Sequence, residues 1–155
     1  MLNFHQYYSV DVVNGPGTRC VLFVSGCVHE CRGCYNKSTW RLDSGKPFTQ
    51  QDEDQIIADL QNTVIPRQGL TLSGGDPLHP QNLSVIRQLL LRVKAECPGK
   101  DVWMWTGYKL DELTIEQQAV IALINVLVDG KFMQDLKDPS LIWRGSSNQV
   151  IHTLR

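Results

Sequence analysis

Charge imbalance is almost absent from this 155-residue sequence: 15 lysines and arginines face 16 aspartates and glutamates, and neither sign gathers into a run. A polyanion or a membrane surface drawn in by bulk charge is therefore excluded as the main partner. Long apolar stretches are missing too. The longest, Ala119 to Val128, is about half of the roughly 20 residues needed to span a bilayer, and Asn125 interrupts it. Met1-Leu2-Asn3-Phe4-His5 has neither a basic segment nor an apolar one after it, so no secretory signal is visible and a cytoplasmic location is expected. There is no phosphate loop of the Walker type and no Gly-x-Ser-x-Gly turn, and His5 and His79 have no partners at catalytic spacing. Nucleotide-triphosphatase and serine-hydrolase chemistry are set aside on that ground. Repeats, low-complexity tracts and Ser/Gly-rich linkers are also lacking, which leaves one domain over residues 1–155 as the expected organisation. A 42% hydrophobic content is enough to give such a domain a core without disulfide staples.

What is present alternates in period. Cys20-Val21-Leu22-Phe23-Val24 is short, apolar and rich in β-formers, and predicts a buried strand ending at Ser25-Gly26. Gly69 to Ser73, Asp101 to Trp105 and Val126 to Val128 predict three more. Between them, Thr49 with Asp52 reads as a capping box for a helix carrying Ile56, Ile57 and Leu60 to about Asn62. Leu83, Ile86, Leu90 and Val93 repeat at helical spacing between Pro80 and Pro98-Gly99, and Thr114 with Gln117 caps a third helix. Strands alternating with helices of this length indicate βα units around a mainly parallel sheet, an α/β fold. In such sheets ligands bind beyond the carboxyl ends of the strands. The segments following predicted strands, namely the loop after Val24, Gly74-Gly75-Asp76-Pro77 and Asp129-Gly130-Lys131, are therefore expected to converge.

Five cysteines are present, and three of them, Cys27, Cys31 and Cys34, fall within eight residues. That crowding is poor geometry for disulfides and good geometry for a metal. Three thiolates on one short loop can hold a corner of a [4Fe–4S] cluster and leave the fourth iron open to a small molecule, whereas a cluster with four cysteines is saturated. Structural zinc, with His29 or a distant residue as fourth ligand, satisfies the same spacing. Cys20 inside a strand and Cys97 before Pro98 read as packing residues.

The Cys-x3-Cys-x2-Cys spacing together with Gly74-Gly75-Asp76-Pro77 resembles the radical S-adenosylmethionine (SAM) superfamily. Asn14-Gly15-Pro16-Gly17-x-Arg19, Leu22-Phe23-x-x-Gly26-Cys27 and Cys34-Tyr35-Asn36 resemble the N-terminal segment of the activating enzymes of glycyl radical proteins. Trp105-Thr106-Gly107-Tyr108, Val128-Asp129-Gly130-Lys131-Phe132 and Trp143 to Gln149 extend the likeness over nearly the whole chain. The shortness of the chain favours the branch that serves anaerobic ribonucleoside-triphosphate reductase. The resemblance implies an abbreviated, open partial (β/α) barrel, since a full eight-unit barrel needs roughly 250 residues.

It further implies a [4Fe–4S] cluster held by Cys27, Cys31 and Cys34 as metal-binding and catalytic residues. SAM would chelate the open iron, be cleaved reductively, and yield a 5′-deoxyadenosyl radical that generates a glycyl radical on the large subunit of the reductase. The implied electron donor is a reduced flavodoxin-like protein. Gly74, Gly75 and Asp76 are implied contacts of the SAM methionine, and Asp129 a contact of SAM or the partner. The position before the third cysteine, aromatic in many members, is Gly33 here, so the adenine contact falls to the Tyr35 ring or to the backbone of Gly33 and Tyr35. An activator of pyruvate formate-lyase or another glycyl radical enzyme shares this pattern. A non-enzymatic zinc or iron–sulfur module would share only the cysteine loop.

Overall fold

The computed structural model describes residues 2–29, 31, 33 and 40–155. The four predicted strands form its centre. β2 (Arg19–Val24), β4 (Gly69–Gly74), β5 (Asp101–Trp105) and β6 (Val126–Asp129) lie side by side and parallel, in register from Cys20↔Leu70 through Leu72↔Met104 to Trp105↔Val128. Each is a short, mostly apolar run, fully buried toward the helices and buried or half-buried on the opposite side. The connections carry α1 (Gln50–Gln61), α2 (Leu83–Glu96) and α3 (Ile115–Ile121).

Both capping boxes form. The Thr49 side chain accepts from Asp52 N while Asp52 accepts from Thr49 N, and Thr114 and Gln117 make the same exchange. Helix α1 buries Ile56, Ile57 and Leu60, and α2 buries Ile86, Leu89, Leu90 and Val93. They pack on Cys20, Leu22, Val24, Leu70, Leu72, Val102, Met104 and Leu127, which are the alternate residues of the four strands pointing to one side.

On the other side of the sheet, no α-helix contributes to the apolar cluster among the described residues. Trp103, Val126 and Val128 cluster there with Trp105, Trp143 and Ile151. Arg19, wholly buried, donates to Thr71 Oγ1 at 2.8 Å and Leu70 O at 3.0 Å and lies 2.6 Å from Asp101 Oδ1. Asn14 O accepts from Thr71 Oγ1, so the Asn14–Gly17 turn folds over this corner.

Three strands lie beyond the four that periodicity predicts. β1 (Asn3–Asp11) and β3 (Lys46–Pro47) add antiparallel beyond β2, and β7 (Val150–Thr153) adds antiparallel beyond β6. The sheet order is β3-β1-β2-β4-β5-β6-β7. The result is an open α/β sheet with a parallel centre and antiparallel flanks, compatible with a partial barrel. None of the described helices is long and apolar enough to cross a membrane.

Candidate metal centre

The chain leaves β2 through Ser25 and Gly26, whose φ of +97° turns it sharply; an added Cβ there would stand 2.5 Å from Leu42 Cδ1. Cys27 N then donates to Trp40 O at 2.9 Å. Beside it, the exit of β4 stays paired beyond the strand: Gly75 N donates to Val24 O at 2.8 Å and Asp76 N to Gly26 O at 2.7 Å. Gly74 takes φ +104°, and a Cβ there would meet Val24 N at 2.5 Å and Val24 O at 2.6 Å. Only glycine allows the two exits to approach so closely.

A cleft opens at these carboxyl ends. Cys27 and Cys31 line it together with Gly74, Gly75 and Gly130 and the aromatic residues Trp40, Trp105 and Phe132. The expected convergence of the loops after β2, β4 and β6 is therefore realised, and the loop after β5 joins them through Thr106 and Gly107. Trp105 is steadied by its indole N–H, which donates to Trp143 O at 2.8 Å. Trp143 has φ +59°, the one positive φ outside glycine among the described residues. A strained residue of this kind persists only where its surroundings fix it.

Behind the cleft lies Asp76, with no exposed surface. Its carboxylate accepts from Leu78 N at 2.9 Å, from Gly107 N at 3.0 Å and from Thr106 Oγ1 at 2.8 and 3.0 Å, and it pairs with His29 Nε2 at 2.6 Å. The His29 side chain is itself 4% exposed and meets the Tyr108 ring edge-on, with centroids 4.5 Å apart. Burial, with the negative charge of Asp76 and Cys27, pushes the Tyr108 hydroxyl above its ordinary range, so it stays protonated.

Other expected residues lie elsewhere. Asp129 turns from the cleft, accepts from Leu110 N at 2.7 Å and faces His152 Nε2 at 3.0 Å. Lys131 borders a neighbouring hollow. Gly33, at φ +75°, sits where a Cβ would collide with the Gln134 side chain. Cys34 and Tyr35 lie outside the described residues. The Ser146–Gln149 run, by contrast, reaches the cleft through Gln149 and braces it: Gln149 Oε1 accepts from Gly145 N and Ser146 N, and its Nε2 donates to Gly130 O. Cys20 and Cys97 are core residues, and burial raises both thiol pKa values, which keeps them protonated and unsuited as ligands.

The donor set suits an iron–sulfur cluster. Two cysteines of the Cys-x3-Cys-x2-Cys loop line one cleft, and among the described residues no carboxylate lines it. His29, the candidate for a fourth zinc ligand, also borders the cleft and pairs through Nε2 with Asp76. Sequence reasoning treated His29 only as that alternative ligand and did not connect it to Asp76. The aromatic walls and Gln149 were also missed as cleft-builders, although Trp105 and Gln149 stand inside segments that carried the resemblance.

Residues 13–152 match the 4Fe-4S single cluster domain family. The chain is 74% identical over 154 residues to an anaerobic ribonucleoside-triphosphate reductase-activating protein of Escherichia coli strain K12, covering 99% of this chain and 100% of that one. It is 67% identical over 151 residues to the protein of that name from Vibrio cholerae, with 97% of each chain covered. With the one from Enterobacteria phage T4 it shares 47% identity over 148 residues, 96% of this chain and 92% of the other.

Proposed function

The chain belongs to the family of anaerobic ribonucleoside-triphosphate reductase-activating proteins, and from that premise we propose that it is a radical SAM oxidoreductase, a single domain over residues 1–155, that installs a glycyl radical on the large subunit of the reductase. The observation that carries this reading is the meeting of Cys27 and Cys31 with Gly74 and Gly75 in one cleft at the carboxyl ends of β2 and β4.

Cys27, Cys31 and Cys34 would hold a [4Fe–4S] cluster. That cluster, when bound and reduced by a flavodoxin-like donor, supplies the electron that cleaves SAM to methionine and a 5′-deoxyadenosyl radical, which takes a hydrogen atom from a glycine Cα of the reductase. The protein's own part is placement and exclusion. Gly74 and Gly75, without side chains, let the methionine end of SAM approach the backbone of the β4 exit. Asp76 serves that contact from behind: its carboxylate is occupied by internal donors, and it holds the β4 and β5 loops together. Gly33 and Tyr35 are proposed to meet the adenine. Asp129 is proposed to act by fixing the Gly130 turn through its bond to Leu110 N. Trp40, Trp105 and Phe132 shield the cleft from water and leave few competing hydrogen donors where a primary alkyl radical would form. The cytoplasm, a reducing compartment, is the proposed location, because it keeps the three thiols reduced.

Anaerobic reconstitution is expected to load about four irons and four sulfides per chain. With SAM and a reductant, the loaded protein is expected to release 5′-deoxyadenosine. Stoichiometric zinc in the purified protein, with unfolding on chelation, would contradict the reading.

A further inference from the structure

One buried carboxylate ties together the loops that follow three adjacent parallel strands. Of the groups that donate to Asp76, Leu78 N comes from the β4 loop itself, and Thr106 Oγ1 and Gly107 N come from the β5 loop. Among the described residues of the cysteine loop, His29 Nε2 is the one that bonds this carboxylate. The imidazole occupies a fitted slot. Tyr108 closes one side, and a Cβ at Gly107 would collide with the ring.

We infer that His29 is a positioning residue of the cysteine loop, anchoring Cys27 and Cys31 through Asp76 to the β4 and β5 exits before any metal arrives. His29 stands two residues from each of these cysteines, so fixing its ring in a slot and its Nε2 on a rigid carboxylate fixes the backbone on both sides. Cys27 and Cys31 then lose less conformational freedom when the metal binds. Groups that orient metal ligands from behind typically change metal retention by about ten- to a hundredfold when removed. This inference rests on the cluster reading of the site, and its test is arranged so that the two can fail separately.

His29→Ala removes the anchor. His29→Gln keeps an N–H donor near the position of Nε2. Gly107→Ala leaves every hydrogen-bonding side chain in place but fills the slot. In reconstituted protein under anaerobic chelator challenge, His29→Ala and Gly107→Ala are expected to lose iron about tenfold faster than the unaltered chain, and His29→Gln is expected to restore most of the retention. In metal-free protein, hydrogen exchange at the Cys27 amide is expected to quicken in His29→Ala and Gly107→Ala and to slow again in His29→Gln. Unchanged iron loss and unchanged Cys27 exchange in both His29→Ala and Gly107→Ala would overturn the inference, as would a His29→Gln variant no better than His29→Ala. If His29→Ala does not fold, the comparison of Gly107→Ala with His29→Gln decides on the same two readouts. An unaltered chain that takes up no cluster contradicts the proposed function, and the exchange measurement on metal-free protein still decides the part of His29.

Discussion

Gly74 shows how far a single residue constrains this site. Its φ of +104° and the backbone of Val24 within 2.6 Å of an added Cβ leave no room for a side chain. Gly74→Ala is expected to cost about 1–3 kcal/mol from the backbone conformation alone, with more from the clash, read as a lower urea midpoint. His79 offers a second test. Burial lowers its pKa below the ordinary 6.5, with Asp76 opposing that shift and His29 adding to it. Its neutral Nδ1 accepts from Gln81 N at 3.1 Å at the start of the turn into α2. On acidification below about pH 6.5 the unfolded chain takes up this proton before the folded one, so stability falls as pH falls through that window. His79→Gln is expected to flatten this part of the stability profile, measured by urea melts between pH 7.5 and about 5. The meeting of Cys27, Cys31 and Gly74 at one cleft was legible in the sequence because each follows a strand of a parallel sheet. The His29–Asp76 bond was not, because it joins residues 47 positions apart and exists only once β2 and β4 are neighbours.

Local signals located the secondary-structure elements. The helix starts at Thr49 and Thr114 were legible because a capping box is a local exchange of hydrogen bonds. Thr49→Ala and Thr114→Ala are each expected to cost about 1 kcal/mol in urea unfolding. Truncating a core side chain is expected to cost more: Leu90→Ala, at a position 1% exposed between α2 and the sheet, should lose about 2–5 kcal/mol by the same measurement. The four central strands were legible as apolar runs. β1 was not, because among its residues only Phe4 is fully buried and Gln6, Tyr8, Ser9 and Val10 are exposed. A flanking strand is held mainly by backbone bonds to its neighbour, which leave little mark on the side-chain pattern. β3 and β7, at two and four residues, are too short to show a period.

At the scale of the molecule, helices cover one face of the sheet and leave the other to Arg19, the Trp103–Trp105–Trp143 cluster and the cleft. The cleft lies at the carboxyl ends of the central strands and is lined by residues of the loops that follow them. Parallel order at the centre was legible from the alternation of strands and helices. The antiparallel flanks that widen the sheet were not, since pairing partners are set by three-dimensional neighbours. The most direct test of the account is electron paramagnetic resonance on the purified large subunit of the reductase, incubated anaerobically with this protein, SAM and a reductant. A glycyl radical signal on the reductase that needs all the components and vanishes with Cys27→Ala is the predicted result. A fully loaded, reduced protein that leaves the reductase without that radical would contradict it.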